Sequence, residues 1–289
     1  MRPFTYERPT SLGQALESLS NHGTDARLLA GGTDLIVGLS DGKIRPRVVL
    51  DIKGMSDLRP SIGISNGRLA IAAPTVLADV IRDKHVQTYF PALVEAARTV
   101  GSVQIRNRAT LTGNICNASP AADTAPALLV YAADVVLLSP EGIRRLPLKD
   151  FIRGPRSTAL GPVELAIAIE LPVPREATGS AFSRLTRRRG VDLATISLCC
   201  SVDVSGTTRF AFGAVAPKPI LQVDATGVLA DADADPEQRS SVLDSMLEHT
   251  TPITDVRASR DYRAAMLRVL SRRLLQSAID RLPNGEPDV

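Results

Sequence analysis

Gly101-Ser102-Val103-Gln104-Ile105-Arg106-Asn107-Arg108-Ala109-Thr110, continued by Leu111-Thr112-Gly113-Asn114-Ile115 and then by Asn117-Ala118-Ser119-Pro120-Ala121-Ala122-Asp123-Thr124-Ala125-Pro126, is the stretch on which the fold turns. Its middle, Thr110 to Ile115, sets a glycine among small hydroxyl and amide side chains beside apolar residues. Glycine lets the backbone approach a ligand closely and adopt positive φ, so that several N–H groups converge on phosphate oxygens. Upstream, Leu28-Leu29-Ala30-Gly31-Gly32-Thr33-Asp34-Leu35 has the same character. Two such loops, brought together in space, would hold the pyrophosphate of a dinucleotide from opposite sides. Either run alone reads more simply as a strand–turn–helix corner, because a lone glycine motif has low specificity.

Outward from these loops the chain alternates between helical and strand periodicity. Ser11 to Leu19 carries Leu12, Ala15, Leu16 and Leu19 on one helical face, with Thr10 or Ser11 as N-cap. Ala26 to Leu29, Val48 to Ile52, Leu69 to Ala72 (after the Asn66-Gly67 turn) and Asp134 to Leu138 read as strands. Val76 to Ile81, Ala92 to Thr99 and Asp123 to Leu129 read as helices. This mixture predicts α+β sheets flanked by helices. Leu171 to Gly179, rich in proline, is the expected linker. Beyond it, Gly179–Thr186, Thr195–Val204 and Thr208–Val215 predict a three-stranded antiparallel sheet, with a hairpin at Ser205-Gly206. Helices over Pro236–Glu248 and Ser259–Asp280 follow, the last with an apolar face at Ala264, Leu267, Leu270, Leu274, Ala278 and Ile279. Arg263, Arg268, Arg272 and Arg273 are expected on its solvated or subunit-facing side, and the tail from Pro283 is expected to be disordered.

Composition narrows the class. A chain of 289 residues accommodates two domains, and 44% hydrophobic with 22% charged residues is an ordinary globular balance. A net charge of +3 is too weak to argue for a nucleic-acid partner. The opening Met1 to Glu7 lacks the apolar core of a secretory signal, and Ala125 to Leu138, interrupted by Asp134, is too short to span a bilayer, so a cytoplasmic location is expected. Cys116, Cys199 and Cys200 fall short of an iron–sulfur ligand set, and His22, His85 and His249 are scattered, so no metal site is expected. Cys199 and Cys200, adjacent in a strand, should face opposite sides and pack as small hydrophobes. Neither a G-x-G-x-x-G run between strand and helix nor a P-loop is present.

The Gly101–Pro126 stretch closely resembles the FAD-binding medium subunit of the molybdenum hydroxylases, the family of xanthine dehydrogenase and aerobic carbon monoxide dehydrogenase. Ala30-Gly31-Gly32-Thr33-Asp34-Leu35 is similar to that family's first pyrophosphate loop. Phe182 to Ala194, Gly213-Ala214-Val215-Ala216-Pro217-Lys218-Pro219 and Tyr262-Arg263 match later landmarks in order. The resemblance implies a two-lobed PCMH-type FAD-binding domain over residues 1–177 and a smaller α+β C-terminal domain over 178–289. Position by position, it places Leu28, Leu29, Ala30, Gly31, Gly32, Thr33, Asp34 and Leu35 along one wall of the FAD site. Thr110, Thr112, Gly113 and Asn114 would complete the cradle, with Val100 and Gly101 beside the flavin. Asp123 would accept hydrogen bonds from the ribityl chain or ring edge, unless it serves as a helix N-cap; both roles can coexist. Leu165 and Arg184 fall near flavin-touching positions, and Arg187-Arg188-Arg189 reads as a solvated strand end.

The family usually has glycine where Thr112 stands, and a required positive φ would strain a β-branched residue by about 1–2 kcal/mol. Thr112 is therefore expected at ordinary φ, contributing its amide. The implied activity is electron relay. A molybdenum-pterin cofactor in a large partner and 2Fe-2S clusters in a small one would supply electrons to FAD here, for delivery to NAD, a quinone or oxygen. Such a subunit would sit in a heterotrimer or its dimer, and no catalytic side chain is required of it. A self-sufficient flavin oxidase on a similar fold and a flavin-free assembly subunit are the alternatives.

Overall fold

The computed structural model describes residues 2–282. The first lobe is built from β1 (Thr5–Glu7), α1 (Leu12–His22), β2 (Ala26–Leu29), α2 (Leu35–Ser40) and β3 (Val48–Asp51), its strands parallel in the order β1-β3-β2. Helix α1 begins at Ser11, whose Oγ accepts from the Gln14 N–H at 3.3 Å, and buries Ala15 and Leu19 against Val48 and Leu50.

The second lobe starts with the hairpin β4 (Ile62–Ser65) and β5 (Arg68–Ala72), turning at Asn66-Gly67, both with positive φ. It then winds through α3 (Leu77–Arg82), α4 (Lys84–Tyr89), α5 (Pro91–Thr99), α6 (Val103–Arg106), α7 (Leu111–Cys116) and α8 (Thr124–Val130). Strands β6 (Asp134–Ser139) and β7 (Gly142–Pro147), helix α9 (Leu148–Phe151), the short pair β8 (Ile152–Gly154) and β9 (Ser157–Thr158), and β10 (Leu165–Pro172) complete it. The five-stranded antiparallel sheet has the order β4-β5-β10-β6-β7. Strand β10 lies at its centre and serves both lobes: Leu165 is buried in the first lobe's core, Ile169 and Leu171 in the second's. Its prolonged pairing shortens the connection after it. The expected linker Leu171–Gly179 reduces to the residues between Pro172 and Thr178, because Pro172 ends the strand opposite Arg68, where its missing N–H is tolerated.

The remaining sheet is β11 (Thr178–Leu185), β12 (Ile196–Asp203), β13 (Thr208–Gly213) and β14 (Ile220–Asp224), all antiparallel neighbours in sequence order. It has four strands where the sequence predicts three. The extra strand β14 is an edge strand entered directly from Pro219, and the prolines around it hide its short apolar signal. The strand period separates the two cysteines as expected: Cys199 joins the core shared with the second lobe, and Cys200 the core under α10 (Pro236–Leu247) and α11 (Arg260–Ile279). The sheet thus lies between α5 and α8 on one side and α10 and α11 on the other.

Arg263 departs from the solvated placement predicted for it. It is fully buried, donating to the carbonyls of Thr195 and Ala214 and, at 2.7 Å, to Asp255 Oδ1. Three acceptors from three segments replace the water at its Nη atoms, and its buried Nε has no partner among the described residues. Arg268 and Arg272 stay more exposed but tie α11 to α10 through Asp244 and Ser240, both at 2.9 Å. The tail from Pro283 lies outside the described residues.

Candidate functional site

Strand β2 delivers Leu28 and Leu29 to the turn Ala30–Asp34, and α2 leaves it. Gly32 has φ 78°, the left-handed region that favours glycine. Gly31 is required for a different reason. A Cβ there would lie 2.1 Å from the Arg108 carbonyl oxygen and 2.9 Å from Ala109 Cα. The first loop therefore rests on the backbone that enters the second. The N–H groups of Gly32, Thr33, Asp34 and Leu35 find no acceptor among the described residues, while Ile36 N–H closes the first turn on the Gly32 carbonyl at 2.9 Å. Asp34 is exposed and its side chain makes no cap, so it does not compete for those donors.

The second loop is built from the end of α5 onward. Val100 packs against the second lobe's core, and Gly101 turns the chain at φ 52°. Arg106 Nη1 donates to the carbonyls of both, at 3.1 and 3.3 Å. Thr110 caps α7: its Oγ1 accepts from the Gly113 N–H at 3.0 Å, which spends that amide inside the turn. The Thr112 N–H remains without an acceptor among the described residues, while that of Leu111 faces the Thr75 carbonyl across the bridge between Val76 and Thr110. Thr112 is helical at ordinary φ, so the departure from glycine costs no strain. Its Oγ1 is buried and has no partner among the described residues. Asn114 Oδ1 accepts from Thr124 Oγ1 at 2.6 Å.

Asp123 stands at the start of α8, but its side chain makes no capping bond. Instead Oδ2 accepts from Arg184 Nη1, on β11, at 2.7 Å, and lies 3.0 Å from Thr99 Oγ1, whose single proton it shares with the Ala96 carbonyl at 2.6 Å. Oδ1 is buried and has no partner among the described residues. Burial pushes the Asp123 carboxyl above its ordinary value, against the opposing charge and hydrogen bond of Arg184 and the bond from Thr99. Arg184 is in turn steadied by the Asp192 and Gly190 carbonyls, each at 3.4 Å. Leu165 is fully buried in the first lobe's core, with Leu28 and Ala30 packed on the same cluster, and so underlies the loop rather than opening to solvent. Arg187, Arg188 and Arg189 are exposed, as expected of a solvated strand end. Cys116 is half-buried as a residue, yet desolvation pushes its thiol up to about 12.

Sequence reading missed Thr99 and Thr124, which orient Asp123 and Asn114 respectively. Thr124 had a signal in standing next to Asp123; Thr99, at the end of a helix, had none. The orphaned Thr112 Oγ1 and Asp123 Oδ1 and the unpaired N–H groups on both loops suit a ligand with anionic oxygens and hydroxyls, which a dinucleotide carries.

These features define a two-lobed, dinucleotide-binding α+β flavoprotein with an appended four-stranded domain. The chain belongs to the molybdopterin dehydrogenase flavoprotein family: the family described as FAD binding domain in molybdopterin dehydrogenase matches residues 2–174, and that described as CO dehydrogenase flavoprotein C-terminal domain matches 180–278. It is 32% identical over 280 residues to the xanthine dehydrogenase FAD-binding subunit of Escherichia coli O157:H7, covering 95% of this chain and 96% of that one. It is also 32% identical to the carbon monoxide dehydrogenase medium chain of Hydrogenophaga pseudoflava, over 95% and 96% of the two chains. A solved carbon monoxide dehydrogenase from that organism superposes with a TM-score of 0.89 at 31% identity, covering 98% of this chain and all of the other.

Proposed function

We propose that this chain is the FAD-binding, electron-transferring subunit of a molybdenum hydroxylase complex. The observation that carries this reading is the meeting of the two glycine loops at Gly31 and Arg108, which brings the unpaired N–H groups of Gly32 to Leu35 together with that of Thr112. Gly32 to Leu35 and Thr112 would hold the pyrophosphate through their N–H groups, with the Thr112 hydroxyl and the Asn114 amide adding donors. Asp123, held by Arg184 and Thr99, would accept from the ribityl chain or ring edge through its unpartnered Oδ1. Val100, Gly101, Leu28 and Leu29 would wall the site. FAD, when bound, supplies the redox chemistry, taking electrons singly and giving them up in pairs. The protein's part is to bind, orient and exclude water, and no acid–base side chain is asked of it.

The relatives are named as medium chains or FAD-binding subunits, which supports a large molybdenum-pterin subunit and a small 2Fe-2S subunit as partners in a heterotrimer or its dimer. It favours that assembly over a self-sufficient oxidase or a flavin-free role. The division into domains at residues 177 and 178 draws support from the two family matches, which end at 174 and resume at 180. No helix among the described residues is long and apolar enough to cross a membrane, and we place the complex in the cytoplasm.

The test is direct. The purified chain should take up FAD in preference to FMN and show flavin absorbance near 450 nm, a general flavin property. Heat or acid should release the flavin and leave the unmodified chain mass, because the Cys116 thiol is held protonated. Coexpressed with its neighbouring genes, it should copurify with two partners, whereas alone it should not oxidise the complex's substrate. A covalent adduct would overturn noncovalent binding, and substrate-dependent bleaching by the isolated chain would overturn the reading itself.

A further inference from the structure

Thr124 has no surface of its own, with 0% of it exposed, yet its hydroxyl makes the shortest of the three side-chain bonds at the start of α8, 2.6 Å to Asn114 Oδ1. The alternatives open to that hydroxyl are few. A threonine inside a helix can donate to the carbonyl four residues back, but Thr124 is the first residue of α8, so Pro120 lies outside the helix and its carbonyl accepts instead from the Ala214 N–H at 2.8 Å. An amide side chain has one acceptor end and one end with two donors. Occupation of Oδ1 by a buried donor leaves the Asn114 Nδ2 hydrogens for whatever lies beside the second loop. Asn114 is itself only half-buried and sits in the same helical turn as the unpaired amide of Thr112.

We propose that Thr124 is a positioning residue: by occupying Asn114 Oδ1, it presents Asn114 to the cofactor as a donor only. The inference rests on the FAD reading above and deepens it. An anionic phosphate oxygen accepts from an N–H and is repelled by a carbonyl, so the orientation of this one amide decides whether it attracts or opposes the pyrophosphate. Residues 123 and 124 then divide the work at the head of α8. Asp123 ties the site to α5 and to the C-terminal domain, and Thr124 ties it to the second loop.

The test uses the full-length chain and FAD affinity measured by flavin fluorescence quenching, with melting temperature recorded in the absence of flavin. Thr124→Val keeps the shape and removes the donor, freeing Asn114 to turn its carbonyl outward. It should weaken FAD about 10- to 30-fold, on the scale of one lost hydrogen bond to a charged group. Thr124→Ser retains the hydroxyl and should restore affinity to near wild type. In an Asn114→Ala background, Thr124→Val should add little further loss, because it acts through Asn114. Wild-type affinity in Thr124→Val, equal losses in the valine and serine variants, or full additivity with Asn114→Ala would each overturn the positioning role. A wild-type chain that binds no FAD would instead overturn the functional reading itself, so the two failures are distinguishable.

Discussion

Gly31→Ala is the smallest perturbation that tests whether the two loops form one site. Gly31 does not have positive φ, so alanine meets no local conformational barrier. The effect comes from a single contact: the new methyl would lie 2.1 Å from the Arg108 carbonyl oxygen, below the 3.0 Å that real Cβ contacts respect. The obstacle is backbone, which cannot rotate away as a side chain can. Reaching an ordinary separation of 3.4 Å requires the loops to part by about 1.3 Å. Hydrogen bonds to phosphate tolerate only a few tenths of an ångström around their preferred lengths. Losing two, each worth roughly 1.5–3 kcal/mol to a charged acceptor, weakens FAD by roughly 10²–10⁴-fold. Overpacking should also lower stability by about 1–3 kcal/mol. Affinity is read by fluorescence quenching and fold by circular dichroism. Gly32→Ala is the matched control: it incurs the positive-φ cost, but its nearest neighbour is the end of the Leu29 side chain at 2.8 Å, which can move. Gly31→Ala should therefore be the worse of the two. A folded Gly31→Ala that binds as well as wild type would show that the loops need not touch to hold the cofactor.

Other perturbations extend the test. Gly32→Val adds a branched side chain at φ 78° and should weaken FAD by roughly 10²–10⁴-fold, while Thr112→Gly, which removes only one hydroxyl donor to the pyrophosphate, should weaken it about tenfold; a reversed order in the same assay would relocate the site. Asp255→Asn should cost about 2 kcal/mol in chemical denaturation at neutral pH, because it removes the charge that compensates fully buried Arg263. Desolvation raises the Asp255 carboxyl, but hydrogen bonds from the Arg257 side chain and backbone, the Arg257 charge and Arg263 together hold it well below the ordinary 3.8. Its folded value is depressed, so its contribution is complete above 3.8 and drains away as the pH falls below it. The gap between variant and wild type should close on acidification over that range, and a gap that widens there would contradict the pairing.

The amino-acid sequence alone determined the features whose causes are local. The glycine loops declared themselves because a backbone that must bend sharply or approach another closely admits few residue types. Cys199 and Cys200 sorted to opposite cores because strand geometry alternates faces whatever the surroundings. The start of α1 followed from its Ser11 cap and the extents of α5 and α11 from their apolar period, while α1 runs to His22, beyond the expected Leu19. What tertiary structure decided were matters between distant residues. Gly31 meets Arg108, Asp123 meets Arg184, and Thr124 meets Asn114 through contacts that no local pattern encodes. Arg263 shows the reason most plainly. Its neighbours in sequence place it among solvated arginines, and burying its charge would be prohibitive in isolation. Three acceptors gathered from Thr195, Ala214 and Asp255 replace the water its Nη atoms lose, and only the folded chain brings those three together.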